Sequence, residues 1–262
     1  MLWRNLRDDY TEQRRLSMLA HPLREAEAPL TAEKIAPLPP PVQRYLRVTG
    51  SLGKPPIRNL QLSFAARLMK KPGQQGMPGP AEQFERFDPP RRLFFMTTRM
   101  YGLPVAVFHD YNGARAAMTV RAASLFNVVD LRSEELARTE TVTLLNDLCC
   151  FAPSLLSDPR LEWSPLDDGH ASVAFTNGPH RVSATLEFDE AGRLVNFFSE
   201  DRGALQDDGT LVRYRWSTPL GEYREFEGRQ VATRGETVWH YPDGPFAYGR
   251  FTLTGIRYDV GD

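Results

Sequence analysis

Several things are scarce in this chain of 262 residues, and each scarcity excludes something. Lysine occurs only as Lys34, Lys54, Lys70 and Lys71. The other basic residues are arginines, which suit bidentate carboxylate pairing and stacking on aromatic rings. Basic charge is not in excess, with 32 Lys and Arg against 33 Asp and Glu and a net charge of -1. Nucleic-acid surfaces carry a basic excess or stripe, so no nucleic-acid partner is expected. No apolar run nears the roughly 20 residues of a membrane-spanning helix. The N-terminal stretch "MLWRNLRDDYTEQRRLSMLAHP" carries charges throughout, unlike a signal peptide, and the chain reads as cytoplasmic.

Cysteine is scarcer still: Cys149 and Cys150 stand side by side in "NDLCCFAPSLL". Adjacent cysteines cannot clip a loop, because neighbouring Cα atoms lie about 3.8 Å apart and disulfides prefer about 4.4–6.8 Å. A reactive thiolate needs a nearby cation or a helix N-terminus. This pair falls at the end of a helical stripe, where the dipole disfavours an anion, so inert packing is expected. The histidines, His21, His109, His170, His180 and His240, show none of the spacings H-x-H, H-x-x-x-H or H-E-x-x-H. No metal site is expected. Neither G-x-G-x-x-G between strand and helix, nor G-x-x-x-x-G-K-[ST], nor G-x-S-x-G occurs. That leaves dinucleotide, nucleoside-triphosphate and serine-hydrolase chemistry without support, and no cofactor is implied.

What is present is mostly strand. The first 50 residues read as helical. Leu2, Leu6 and Tyr10 fall on one side with Trp3 beside them. In "APLPPPVQRYLRVTG", Pro41 suits a first turn, Val42, Tyr45 and Leu46 share a face, and Gly50 is a stop. From about residue 57 the period becomes two. "RNLQLSFAARL", "RRLFFMTTRM", "LPVAVFHDYNGARAAMTVR" and "SLFNVVDL" read as strands, with "KPGQQGMPGP" (71–80) a loop and Asn112-Gly113 a hairpin turn.

Helical period returns once, in "SEELARTETVTLLNDLCCFAP". Leu144, Leu145, Leu148 and Phe151 form its stripe, Glu134, Glu135 and Glu140 stand early where the dipole favours them, and Pro153 ends it. The rest, from "LEWSPL" to "FAYGRFTLTGIRYDV", is strand after strand with turn clusters between, as in an antiparallel meander. The expected fold is mainly β (α+β). One domain spans 1–262: a helical segment over 1–50, then a large curved antiparallel sheet over 55–262. A helix inserted at about 133–152 and the N-terminal helices lie against its concave face or at one end.

Polar groups that alternate with apolar ones are the site candidates, because strand side chains repeat every two residues. Glu200 and Arg202 are expected on a face with Leu194 and Phe198. Val212, Tyr214 and Trp216 share another, and Glu236 and His240 flank Val238. On a concave face these would supply an acid, a cation, a histidine and aromatic walls. On an outer face they would be cross-strand ion pairs worth under about 1 kcal/mol each.

Four stretches, "LPPPVQRYLRVTG", "RMYGLPVAVFHDYNGARAAM", "APSLLSDPRLEW" and "TVWHYPDGPFAYGRF", together resemble an uncharacterised bacterial domain family over about residues 37 to 259. Residues that match its pattern are Arg44, Tyr45, Gly50, Asp110, Tyr111, Arg202, Trp216, Tyr223, Trp239, Gly244, Pro245, Phe246 and Tyr248. The tryptophan its members often carry in the segment corresponding to "PAEQFERF" is missing here, as is an apolar segment near the N-terminus. The resemblance implies a half-barrel similar to the outer-membrane lipoprotein carriers (LolA-like), with helices and apolar ligands on its concave side.

Three functions follow as expectations. The first is binding of a hydrophobic or lipid-like molecule, with Arg202 meeting an acidic headgroup and Trp216, Tyr223, Trp239 and Phe151 lining the walls. The second is a cofactor-independent cyclase, isomerase or hydrolase using Glu200, Arg202 and His240. The third is an interaction module whose N-terminal helix docks on a partner or a membrane surface.

Overall fold

In the computed structural model, which describes residues 5–23 and 25–261, three helices lead the chain: α1 (Leu6–Ala20), α2 (Ala32–Ile35) and α3 (Pro40–Val48). Six strands follow: β1 (Asn59–Leu68), β2 (Met77–Phe87), β3 (Pro90–Met100), β4 (Leu103–Tyr111), β5 (Ala116–Ala122) and β6 (Phe126–Leu131). Helix α4 (Glu134–Phe151) comes next. After it run β7 (Leu161–Pro165), β8 (His170–Asn177), β9 (His180–Phe188), β10 (Leu194–Ser199), β11 (Gly203–Leu205) and β12 (Leu211–Arg213). The chain ends with β13 (Arg215–Ser217), β14 (Leu220–Phe226), β15 (Arg229–Tyr241) and β16 (Gly244–Tyr258). Leu2 and Trp3 lie outside the described residues.

The strands form one 14-stranded antiparallel sheet in the order β6-β5-β4-β3-β2-β1-β16-β15-β13-β10-β9-β8-β7, with β14 also pairing on β15. Strands β11 and β12 form a separate two-stranded ribbon. Helix α4 explains the curvature. It packs against β5 near one edge and against β9, β10 and β15 in the other half, so the sheet wraps around it as a half-barrel. At one end the wrap closes. The Tyr111 hydroxyl at the end of β4 lies 2.7 Å from Thr141 Oγ1 of α4 and accepts from Asn177 Nδ2 of β8 at 2.7 Å. At the opposite end stand the hairpin tips that join β1 to β2, β3 to β4, β5 to β6 and β15 to β16.

Helix α4 begins where expected. Ser133 caps it by accepting from the Leu136 N–H at 3.0 Å, which satisfies one of the orphan donors of a helix start. Leu144, Leu145 and Leu148 are at most 1% exposed. Each contributes about 1.5–3 kcal/mol by burial. Cys149 and Cys150 are free and buried, and burial pushes both thiols up, away from the reactive thiolate form. They pack the core, as the sequence implied. Phe151 ends the helix, half-buried against Phe64 at a centroid distance of 6.0 Å. Tyr45 of α3 fastens it by donating to the Cys149 carbonyl at 2.9 Å.

Three expectations need correction. Helix α1 does not lie on the concave face. Its Leu6, Tyr10 and Met18 join Phe84, Leu93, Phe95 and Phe108 in a second core on the convex side of β2, β3 and β4. Segment "LVRYRWS" is not one strand: it breaks at Tyr214 into β12 and β13, so Val212 is exposed in the ribbon while Trp216 is buried in the sheet. Strand β2 starts at Met77, inside the predicted loop 71–80. Gly79 permits this, because a Cβ there would sit 1.8 Å from the Thr97 carbonyl oxygen of β3.

Candidate functional site

On the concave face, β2 directs Gln83 and Glu85 inward while Phe84 points outward into the α1 core, the alternation a strand imposes. Arg92 of β3 and His109 of β4 join them. Above lies α4, whose Glu140, Thr143 and Asp147 recur at helical spacing on the side facing these strands. Arg92 is the hub. It reaches Asp147 at 2.8 Å, Glu140 at 3.0 Å and Glu85 at 3.2 Å, and donates to the side-chain Oε1 of Gln83 at 2.9 Å. His109 Nδ1 lies 2.9 Å from the other Glu140 oxygen.

Environment separates the two glutamates. Burial, with Asp147 beside it, pushes Glu85 well up, toward its protonated form. Burial would also raise Glu140, but His109 and Arg92, with Arg202 further off, overcome it and hold the carboxyl down at about 2. Glu140 is therefore a buried anion. The early-helix dipole role expected for it does not apply, because that effect fades beyond the first turn.

Beside this network, toward the hairpin-tip end of β15 and β16, lies a second cluster. Arg202 leaves the end of β10 and lays its guanidinium over Trp216 at 4.4 Å and Trp239 at 5.1 Å. It donates to the Tyr248 hydroxyl at 3.1 Å and to Thr143 Oγ1 at 3.3 Å. Trp216 Nε1 donates to the same Tyr248 oxygen at 3.2 Å. Trp239 stacks on Tyr248 at 5.7 Å, and Tyr241 meets Tyr214 edge-on at 4.9 Å. Among the described residues no carboxylate lies within ion-pair distance of Arg202; Glu140 acts on it only from further away. Arg202, Tyr214, Tyr241 and Tyr248 are each half-buried, so the cluster reaches solvent.

The β11–β12 ribbon roofs the first turns of α4 alongside this cluster. Arg213 grips Glu135 with two 2.8 Å bonds, the Gly203 N–H donates to Thr139 at 3.0 Å, and Arg138 pairs with Asp201 at 2.6 Å.

The structure thus gathers Arg202, Trp216 and Trp239, and separates the other sequence candidates from them. A bulge between Leu194 and Asn196 reverses the alternation of β10. Phe197 becomes fully buried, and Phe198 turns to the other face under Arg215, at 4.7 Å. Glu200 is exposed and pairs with Arg215 at 3.6 Å. His240 sits opposite Arg215 in the β13–β15 register and bonds Ser217 Oγ at 2.8 Å. Burial and then Arg215 hold its pKa below the usual histidine value. Glu200 and His240 are therefore on the convex side, across the sheet from Arg202. Tyr223 is pinned elsewhere, donating to the Leu194 carbonyl at 2.8 Å. Phe151 lies at the far end of α4. Glu236 pairs outward with Arg250 at 2.9 Å.

Sequence reasoning passed over Gln83, Glu85, Arg92, His109 and Asp147. The available signal was Glu140 and Asp147 at two-turn spacing inside an otherwise apolar helix. Among the described residues no three His, Cys, Asp or Glu side chains converge as metal ligands. No described helix is long and apolar enough to cross a membrane.

An antiparallel half-barrel wrapped on a helix, with a buried ion network and an arginine–aromatic cluster, is thus the class of protein that the fold defines. Residues 28–251 match the model of a family of unknown function (DUF6544), and the chain belongs to that family. Two solved structures are similar to it. One is described as an outer membrane lipoprotein-sorting protein domain from Vibrio parahaemolyticus, at 10% identity over 78% of this chain and 87% of that one, with a TM-score of 0.45. The other is a LolA superfamily protein from Nitrosomonas europaea, at 11% identity over 87% and 93%, with a TM-score of 0.45. No curated protein matches the chain.

Proposed function

We propose that the concave face beside α4 binds an amphiphile, a hydrophobic or lipid-like molecule with an acidic headgroup. One observation carries the reading: a half-buried arginine, held over two indoles, has no carboxylate among the described residues to pair with. A guanidinium so placed is oriented before any ligand arrives, and its remaining donors suit a carboxylate or phosphate. Around it Trp239, Tyr241 and Tyr248 offer ring faces for an acyl or polycyclic body. The acid–base reading built on Glu200, Arg202 and His240 lacks equivalent support, because the sheet stands between Arg202 and the other two.

Titration with oleate and with oleyl alcohol, followed through the tryptophan emission, tests this. Oleate is expected to saturate at one molecule per chain and to bind at least tenfold more tightly than the alcohol. Native mass spectrometry of protein purified from cells is expected to show an acidic amphiphile retained. No binding of either probe, with no retained molecule, would refute the proposal.

A further inference from the structure

We propose that the hairpin-tip end of the half-barrel docks on an anionic bilayer surface. Antiparallel neighbours turn at the same end of a sheet on alternate connections. The β1–β2, β3–β4, β5–β6 and β15–β16 tips therefore stand in a row. Two contacts fix their adjacency: the Ala123 N–H of one tip donates to the Pro104 carbonyl of the next at 2.8 Å. Loop residues Met69 to Gly76 and β16 residues Pro245 to Ala247 line a shared groove of about 520 Å³.

These tips expose several large apolar side chains. Tyr101 is 95% exposed and Phe126 68%, and Leu103, Leu125 and Val128 are all more than half exposed. Tyr101 holds positive φ in the two-residue β3–β4 turn, and Ala123 and Ser124 hold it in the three-residue β5–β6 turn, so their side chains stand at the apices. Three of these four tips carry charge of one sign. None of the 33 acidic residues falls in 65–81, 96–107 or 117–129, while Arg67, Lys70, Lys71 and Arg99 do, all exposed. Two of the four lysines of the chain are in this one loop. The fourth tip, β15–β16, carries Asp243, and Asp130 at the far end of β6 is held by Arg132 at 2.5 Å.

Aromatic and aliphatic side chains flanked by basic ones, with acids excluded, match the interface of an anionic leaflet: apolar groups enter the headgroup layer and cations meet its negative surface. A purely proteinaceous partner would not require acids to be absent from three consecutive hairpins. The inference stands on these tips alone and does not need Arg202. The arginine–aromatic cluster lies toward the same end of β15 and β16, so a docked half-barrel would present it to the bilayer.

Co-sedimentation with vesicles of phosphatidylcholine alone and of phosphatidylcholine with phosphatidylglycerol tests the proposal. The protein is expected to sediment at least tenfold more with the anionic vesicles and to be released by salt at about 1 M, where screening reaches about 3 Å. Tyr101→Ser with Leu125→Ser and Phe126→Ser, and separately Lys70→Glu with Lys71→Glu, should each cut that binding at least tenfold. All five sites are exposed, and both variants should keep the wild-type circular dichroism and oleate titration. Wild-type protein that stays in the supernatant with both vesicles would overturn the proposal. So would variants that sediment like the wild type, or a serine variant that turns a dimer into a monomer, since the patch would then belong to a second copy of the chain.

Discussion

Replacing Arg92 by leucine is expected to destabilise the fold by about 3–5 kcal/mol, the cost of leaving buried charge unpaired. Arg92 carries the only positive charge in direct contact with both Asp147 and Glu85 among the described residues, and it shares Glu140 with His109. Leucine fills some of the volume and answers none of the carboxylates. Urea denaturation at neutral pH should show the loss, and the pH dependence should identify its cause.

The sign follows from Glu140. Its folded pKa, about 2, lies below the unfolded value near 4.5. It contributes stability that is present above the unfolded value and lost as pH falls toward 2. In Arg92→Leu part of that depression disappears, so the gap between variant and wild type should narrow on acidification. Glu85 runs the other way. Its folded pKa is raised, so the native state binds the extra proton and stability falls as pH rises beyond the unfolded value. Glu85→Gln keeps the shape without the charge and should cost less than about 1 kcal/mol at neutral pH, with a relative gain toward alkaline pH. Equal losses in the two variants would contradict the assignment of Arg92 as hub and Glu85 as a neutral partner.

Replacing Arg202 by glutamine is expected to weaken oleate binding about 10–100-fold, the loss of one charge-assisted contact of about 1.5–3 kcal/mol. Binding of oleyl alcohol should be unchanged within a factor of about three. The contrast carries the information. Arg202 holds Thr143 and Tyr248 through bonds longer than 3 Å and touches no carboxylate among the described residues, so removing its charge leaves no partner stranded. A general collapse of the aromatic cluster would weaken both probes together. Trp239→Ala should do just that, because it removes ring surface and leaves the charge.

Much of this molecule was legible in its residues, and the limits have physical causes. Helix α4 was readable because the early acids Glu134 and Glu135, the leucine stripe and Pro153 all mark the same segment. The Asn112-Gly113 turn was readable because its backbone requirement selects its residues. The face against which α1 packs was not. Amphipathicity says that Leu6, Tyr10 and Met18 are covered, not by which side of the sheet.

The same ambiguity hid the ion network. Strands β2, β3 and β4 are buried on both faces, by α1 outside and α4 inside. "EQFERF" and "RRLFFMTTRM" therefore lack the apolar–polar alternation that separates in from out. Arg91 and Arg92 look equivalent in sequence, yet one pairs with Asp110 beside α1 and the other is buried under α4. Glu200 and Arg202 were placed on a face with Leu194 and Phe198 by a period-two count, which fails because a bulge lies between Leu194 and Asn196 and the strand ends at Ser199. Trp216 and Trp239 kept their place because they face each other directly in the β13–β15 register.

A photoactivatable test locates the ligand itself. Oleate carrying a diazirine on its chain would be bound, irradiated and mapped by peptide mass spectrometry. The account predicts adducts on Tyr214, Tyr241 or Tyr248, diminished about tenfold or more in Arg202→Gln. Adducts confined to the convex side, at Leu16 and Leu19 of α1 or around His240, would contradict it.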